Sequence, residues 1–191
     1  MLKAIFFDMD GTITRPHIDW KNLRQRVGVP EGTPIMEYIE SLPQAEQCRG
    51  DAIVREIEFE AAQEAVLNPG AAELIAQLNT YPLKLALITN NHRAAMHHVV
   101  DQFGLHFHLL LSREDALLKP APDLLLLALK KFQLPPEATC FVGDGRYDRA
   151  ASEAAGVAYI HLAHDRNEPV EGPTIYELED LWDQPGLLPT C

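Results

Sequence analysis

Five short runs in this chain are apolar almost from end to end and stop at polar or glycine-bearing turns. They are Lys3–Phe7 (KAIFF), Lys84–Thr89 (KLALIT), Phe107–Leu111 (FHLLL), Thr139–Gly143 (TCFVG) and Val157–Ile160 (VAYI). A strand with one wet face alternates apolar and polar residues. These runs do not, so they are predicted as strands buried on both faces. Helical stretches separate them. Pro69–Leu78 carries Leu74, Ile75 and Leu78 at helical spacing, and His92–Phe103 carries Met96, Val99, Val100 and Phe103 before a stop at Gly104. Asp123–Phe132 is apolar enough to lie against a sheet, and the alanine-rich Arg146–Ala155 closes at Gly156. Strand and helix in alternation predict an α/β fold, a doubly wound parallel sheet with helices on both faces.

One interval breaks this rhythm. The chain between Phe7 and Lys84 is far longer than the dozen or so residues a parallel crossover requires. Within it, Asp51–Leu67 sets Val54, Ile57, Ala61 and Ala65 on one helical face, with Glu56, Glu58, Glu60 and Glu64 around the rest. Asp19–Val27 and Pro34–Ser41 also read as helices, so a small helical insertion over Arg15–Asn68 is expected on the sheet domain. The tail Gly172–Cys191 is expected to hold a short acidic helix, Ile175–Trp182, and then a proline-bearing end.

Composition bounds the function. A chain of 191 residues, 47% of them hydrophobic, is enough for one domain with a modest insertion and a real core. The net charge of −12 argues against a nucleic-acid or anionic-membrane surface, which would need a basic face. Cys48, Cys140 and Cys191 are odd in number and far apart, which excludes a disulfide scaffold and fits a reducing compartment. No apolar run approaches the ~18 residues of a membrane span. The opening MLKAIFFDMD is cut by Asp8 too early for a signal peptide. A soluble, cytoplasmic protein, monomer or homodimer, is expected.

In open α/β sheets chemistry gathers at the carboxyl ends of the strands, and here those ends are acidic. The first strand runs into Asp8-Met9-Asp10-Gly11-Thr12, the second into Thr89 and Asn90, and the fourth into Gly143-Asp144-Gly145 with Asp148 beyond. The loop after the third reaches Lys119. Like charges about 4 Å apart repel by roughly 1–4 kcal/mol at effective dielectrics of 80 to 20. A cluster of Asp8, Asp10 and Asp144 therefore calls for a cation. Hard carboxylate and carbonyl oxygens suit Mg²⁺, and Lys119 adds a second positive charge of the kind a phosphoryl group needs.

FFDMDGTIT, Thr89 in LITNN, Lys119 in KPAPD, and Gly143-Asp144 with Asp148 in VGDGRYDRAASEAAG resemble, in order, the four motifs of the haloacid dehalogenase-like (HAD) hydrolase superfamily. The resemblance implies a Rossmann-like core over 1–14 and 69–191 and a helical cap over 15–68, as in the phosphoglycolate-phosphatase-like branch. It implies a Mg²⁺-dependent phosphatase in which Asp8 is the nucleophile and Asp10 the acid and base. Thr89, Asn90 and Lys119 would bind the phosphoryl group. Metal ligation would fall to Asp8, Asp10 (through its main-chain carbonyl) and Asp144, with Asp148 orienting the metal's waters. The substrate would be a small phosphorylated metabolite such as phosphoglycolate or a sugar phosphate. A phosphomutase is the alternative within the same family, and a receiver-type phospho-acceptor domain the alternative outside it. The chain departs from many relatives at Ile13-Thr14-Arg15-Pro16 and in its short cap, both where substrate is selected.

Plainer roles stand beside these. Asp148 also reads as a first-turn helix charge. His97-His98, His106 with His108, and His161 with His164 read as structural or surface groups rather than ligands. Arg15, His17, Arg49 and Arg55 read either as substrate contacts from the cap or as solvated charges. Cys140 reads as a small core residue.

Overall fold

The computed structural model describes residues 2–167 and 171–184. Among them are six strands: β1 (Ala4–Phe7), β2 (Lys84–Ile88), β3 (Leu109–Leu111), β4 (Thr139–Gly143), β5 (Ala158–Leu162) and β6 (Thr174–Ile175). All pair in parallel, in the order β3-β2-β1-β4-β5-β6. The helices are α1 (Trp20–Val27), α2 (Ile35–Ser41), α3 (Gln44–Gln63), α4 (Ala71–Leu78), α5 (Arg93–Gln102), α6 (Asp123–Phe132) and α7 (Arg146–Ala155). None of them is long and apolar enough to cross a membrane.

β1 is apolar and buried from end to end, and β2 is so after Lys84, because both faces of the sheet are covered. Along β1, Ile5 and Phe7 join one core with Leu74, Ile75 and Leu78 of α4 and Met96, Val99 and Val100 of α5. Ala4 and Phe6 join the other, with Leu124, Leu125 and Leu129 of α6 and Ala151 and Ala155 of α7. Cys140 belongs to the first core, and burial pushes its thiol up to about 12.

Helices α1–α3, between β1 and β2 in the chain, bury a small core of their own made of Leu23, Ile39, Val54 and Ile57. The long helix starts at Gln44, directly after Pro43, rather than at Asp51. Its polar opening QAEQCR consists mostly of good helix formers, and that stretch presents no apolar stripe by which periodicity could find it. Gly50 on this helix faces Ile39, whose Cγ1 would lie 3.0 Å from an added Cβ. The helix ends at Gln63 rather than Leu67 because the chain there turns back beside the end of the first loop. Thr14 bridges Leu67 in antiparallel fashion, Arg15 N–H donates to Val66 O (2.8 Å) and Asn68 N–H to Ile13 O (2.9 Å).

Two other expectations need correction. Ile175 lies in β6, a two-residue edge strand too short to show a period, and only Leu178–Asp183 coils, as a 3₁₀ turn. Its Leu178 and Leu181 are buried in the core on the α4 side. The third strand is confined to Leu109–Leu111, with the Phe107 ring set edge-on to Phe7 at 6.4 Å. The proline-bearing end of the tail lies outside the described residues.

Candidate active site

β1 and β4 lie side by side with Phe7 opposite Val142, so Asp8 and the Gly143-Asp144 turn leave the same edge of the sheet together. Asp8 N–H donates to Val142 O at 2.9 Å, which carries the pairing one residue past the strand. The Lys119 ammonium reaches this point from the loop after β3. It donates to Asp8 Oδ1 (2.5 Å), Asp148 Oδ1 (2.7 Å) and Ile88 O (3.1 Å), with its Nζ 5.3 Å from the centre of the Phe141 ring. Asp8, Asp144 and Asp148 each place a carboxylate oxygen within 4.8 Å of the others.

Two glycines make this crowding possible. Gly11 has φ +87°, and a Cβ there would stand 1.9 Å from Asp144 Oδ2. A Cβ on Gly143 would stand 2.7 Å from Cβ and Cγ of Asp148. Each position admits only the residue without a side chain, one because of both its backbone and its neighbour, the other because of its neighbour.

The electrostatics follow from burial and charge. Asp8 is held well above the usual carboxylate range, by burial first and by the charges of Asp148, Asp144 and Asp10, with Lys119 opposing. Asp10 is pushed up to about 7, again by burial first and next by Glu58, with Asp144 adding, while Lys119 and a hydrogen bond from Thr89 oppose. Burial works against the Lys119 ammonium, but Asp148 and Asp8 more than offset it and hold the group charged. The Lys119 ammonium thus pairs with Asp8 and Asp148, while Asp144 and Asp10 add negative charge nearby.

The other expected residues sit as follows. Thr89 is buried at the end of β2, its Oγ1 accepting from Asn91 N–H at 3.0 Å. Asn90 spends its whole amide on Lys119, donating to its carbonyl (2.8 Å) and accepting from its N–H (2.9 Å). Asp148 fills both of its readings at once: Oδ1 meets Lys119, and Oδ2 accepts from Gly145 N–H (3.0 Å) ahead of α7. The Asp10 side chain is not part of the Asp8, Asp144 and Asp148 oxygen cluster. Arg15 and Arg49 are exposed, His17 pairs with Glu64 (3.0 Å), and Arg55 spans Asp51 (2.7 Å) and Glu114 (3.0 Å). His98 packs on Phe59, and His108 Nδ1 accepts from Leu85 N–H at 3.1 Å.

Sequence reasoning missed several supporting groups. Glu58, placed in the polar surround of its helix, is 4% exposed. It accepts from His92 N–H (3.1 Å), His92 Nδ1 (2.7 Å) and Arg113 (2.5 Å). That junction ties α3 to the start of α5 and to the loop after β3. His164 Nε2 lies 3.3 Å from Asp144 Oδ2, and Tyr159 OH donates to Gly143 O (2.8 Å), bracing the turn that carries Asp144. Asn68, read only as the insertion's last residue, points its amide at the loop after Asp10. None of these has a local sequence signature, since each depends on a partner distant along the chain.

Comparison with known proteins agrees with this geometry. A profile of the haloacid dehalogenase-like hydrolase family matches residues 2–156. A haloacid dehalogenase-like hydrolase domain-containing protein of Arabidopsis thaliana is 31% identical, over 94% of this chain and 77% of its own length. A phosphoglycolate phosphatase of Pseudomonas syringae pv. tomato is 28% identical, over 99% of this chain and 79% of its own length. Among solved structures, a HAD-superfamily hydrolase (subfamily IA, variant 1) from Geobacter sulfurreducens superposes with a TM-score of 0.69 at 22% identity, covering 96% of this chain and 99% of that one. CbbY from Rhodobacter sphaeroides in complex with phosphate superposes at 0.68 with 24% identity, covering 95% and 96%. With its four motifs at the strand ends of a parallel sheet, this chain belongs to the haloacid dehalogenase-like hydrolases.

Proposed function

We propose that this hydrolase is a Mg²⁺-dependent phosphatase that cleaves a small phosphorylated metabolite through an aspartyl phosphate on Asp8. The observation that carries the reading is the meeting of Asp8, Asp144 and Asp148 within 4.8 Å beside the Lys119 ammonium. The donor set fits the ion: the clustered side chains of Asp8, Asp144 and Asp148 offer hard oxygens, and their negative charge exceeds that of the Lys119 ammonium beside them. Asp8, Asp144 and the Asp10 carbonyl would hold Mg²⁺, with Asp148 beside them. The bound ion would neutralise the carboxylates and draw charge from the phosphoryl oxygens.

The chain's own residues then divide the work. Thr89 and Lys119 bind phosphoryl oxygens, and Asn90 fixes the Lys119 main chain from both sides. An Asp8 oxygen attacks phosphorus in line while the bond to the ester oxygen breaks, and Asp10 gives its proton to that leaving oxygen. Asp10 next takes a proton from water, whose oxygen attacks the same phosphorus and releases phosphate and the Asp8 carboxylate. A carboxyl pushed up to about 7 suits both transfers near neutral pH.

Residues 15–68 serve as a cap that excludes water during these steps, over a core formed by 1–14 and 69–191. The relatedness to phosphoglycolate phosphatases favours a small, anionic phosphate monoester. The test is phosphate release from a panel of such monoesters, 2-phosphoglycolate and sugar phosphates included. Turnover should require Mg²⁺ and vanish in Asp8→Asn; turnover that survives EDTA or that substitution contradicts the reading.

A further inference from the structure

Asn68 closes the helical insertion and stands just ahead of α4, yet its side chain faces back into the loop that follows Asp10. Its Nδ2 lies 2.7 Å from Thr12 O, 3.1 Å from Gly11 O and 3.3 Å from Thr14 O. Its own N–H donates to Ile13 O at 2.9 Å, and its carbonyl accepts from Ala71 N–H at 3.1 Å. One residue thus reaches four successive carbonyls, Gly11 to Thr14, and is itself anchored to the first turn of α4.

Those carbonyls belong to a tight turn. Gly11 N–H bonds Thr14 O (2.8 Å), Thr14 N–H bonds Met9 O (2.9 Å) and Thr14 Oγ1 bonds Met9 O as well (3.2 Å). The turn reverses at Gly11, where φ is +87° and Asp144 leaves no room for a side chain. Converging carbonyls repel one another, and without a donor among them the turn would relax by opening. Its opening would move Asp10, the residue immediately before it.

We infer that Asn68 is a positioning residue for Asp10: its amide holds the turn over residues 11–14 shut and so fixes where the acid/base carboxyl points. The inference rests on the phosphatase reading for its link to turnover, but not for its link to the turn. Residues 13–15 and 66–68 are zipped together by the Thr14–Leu67 bridge.

The test uses Asn68→Ala and Asn68→Asp in the full chain. Asp is isosteric but sets a carboxylate oxygen against the carbonyls in place of N–H. Two readouts are taken, steady-state hydrolysis of 2-phosphoglycolate or p-nitrophenyl phosphate with Mg²⁺, and amide hydrogen exchange of residues 9–15. The expected result is a fall in kcat of about 10–100-fold with KM within about twofold. Exchange should quicken at Gly11, Thr12 and Thr14 and stay unchanged in β2 and α6. A kcat within about twofold of wild type, or unchanged exchange in the turn, overturns the inference. Should Asn68→Ala not fold, Asn68→Ser, which keeps a short donor, carries the same two readouts with a smaller change. If the wild type hydrolyses neither these esters nor any of the sugar phosphates in the panel, the phosphatase reading has failed, and the exchange result alone still decides the role of Asn68 in the turn.

Discussion

Lys119 is 4% exposed and lies against two carboxylates that share it. Removing one partner from a buried charge cluster leaves the others unpaired in a poor solvent, at about 3–5 kcal/mol. Lys119→Met is predicted to abolish hydrolysis and to lower the urea midpoint of the metal-free protein; a midpoint equal to wild type would show that the three groups do not share charge. Asp10 carries a pH prediction. Its carboxyl is raised from 3.8 to about 7 in the folded protein, so between those values the folded chain holds a proton that the unfolded chain has lost. The Asp10 contribution to stability is therefore full below about 4 and falls as pH rises through about 7. Urea midpoints in EDTA should fall between pH 5 and pH 8 for wild type and fall less for Asp10→Asn. Equal pH slopes would contradict the burial of that charge. Gly11→Ala combines a left-handed backbone, about 1–2 kcal/mol, with a Cβ 1.9 Å from Asp144 Oδ2. It should displace Asp144 and cost most of the activity.

At the scale of elements, the joint that ties α3 to the start of α5 and the loop after β3 is ionic and buried. Glu58 and Arg113 have side chains 5% exposed, and His92 adds two hydrogen bonds to the same carboxylate. Glu58→Ala leaves Arg113, among the described residues, with the more distant Asp51 and should destabilise the chain by about 3–5 kcal/mol. A chemical denaturation curve within about 1 kcal/mol of wild type would show the joint to be incidental. This joint also marks what the sequence could not disclose. Glu58 shares its helix with Glu56, Glu60 and Glu64, and only a fold that brings His92 and Arg113 to it separates the buried member from the solvated ones. The strands β1, β2 and β4 were legible because burial on both faces demands uninterrupted apolar residues. β6 was not, because two residues at an edge carry no pattern. Asp8, Asp144, Asp148 and Lys119 could be gathered from the sequence because each follows a strand, and the family resemblance sets the first and fourth strands side by side. Asn68, His164 and Tyr159 act through main-chain atoms or single contacts, which leave no trace in spacing.

For the whole molecule, the proposed Mg²⁺ would tie stability and function to one ion. A divalent cation that binds the folded site and not the unfolded chain stabilises by mass action, about 2.7 kcal/mol at a hundredfold excess over Kd. Millimolar Mg²⁺ should therefore raise Tm of wild type. Asp144→Asn should lose most of that increment, and a Tm indifferent to Mg²⁺ in both proteins would remove the ion from the account. The central claim is that the carboxylate at the end of β1 takes the phosphoryl group. Acid quench of the enzyme during turnover of 2-phosphoglycolate, followed by proteolysis and mass analysis, reads it directly. The account predicts one phosphoryl group on the peptide holding Asp8, at Asp8 itself, and none in Asp8→Asn. A phosphoryl group on any other residue, or rapid turnover with no labelled peptide at any quench time, would contradict it.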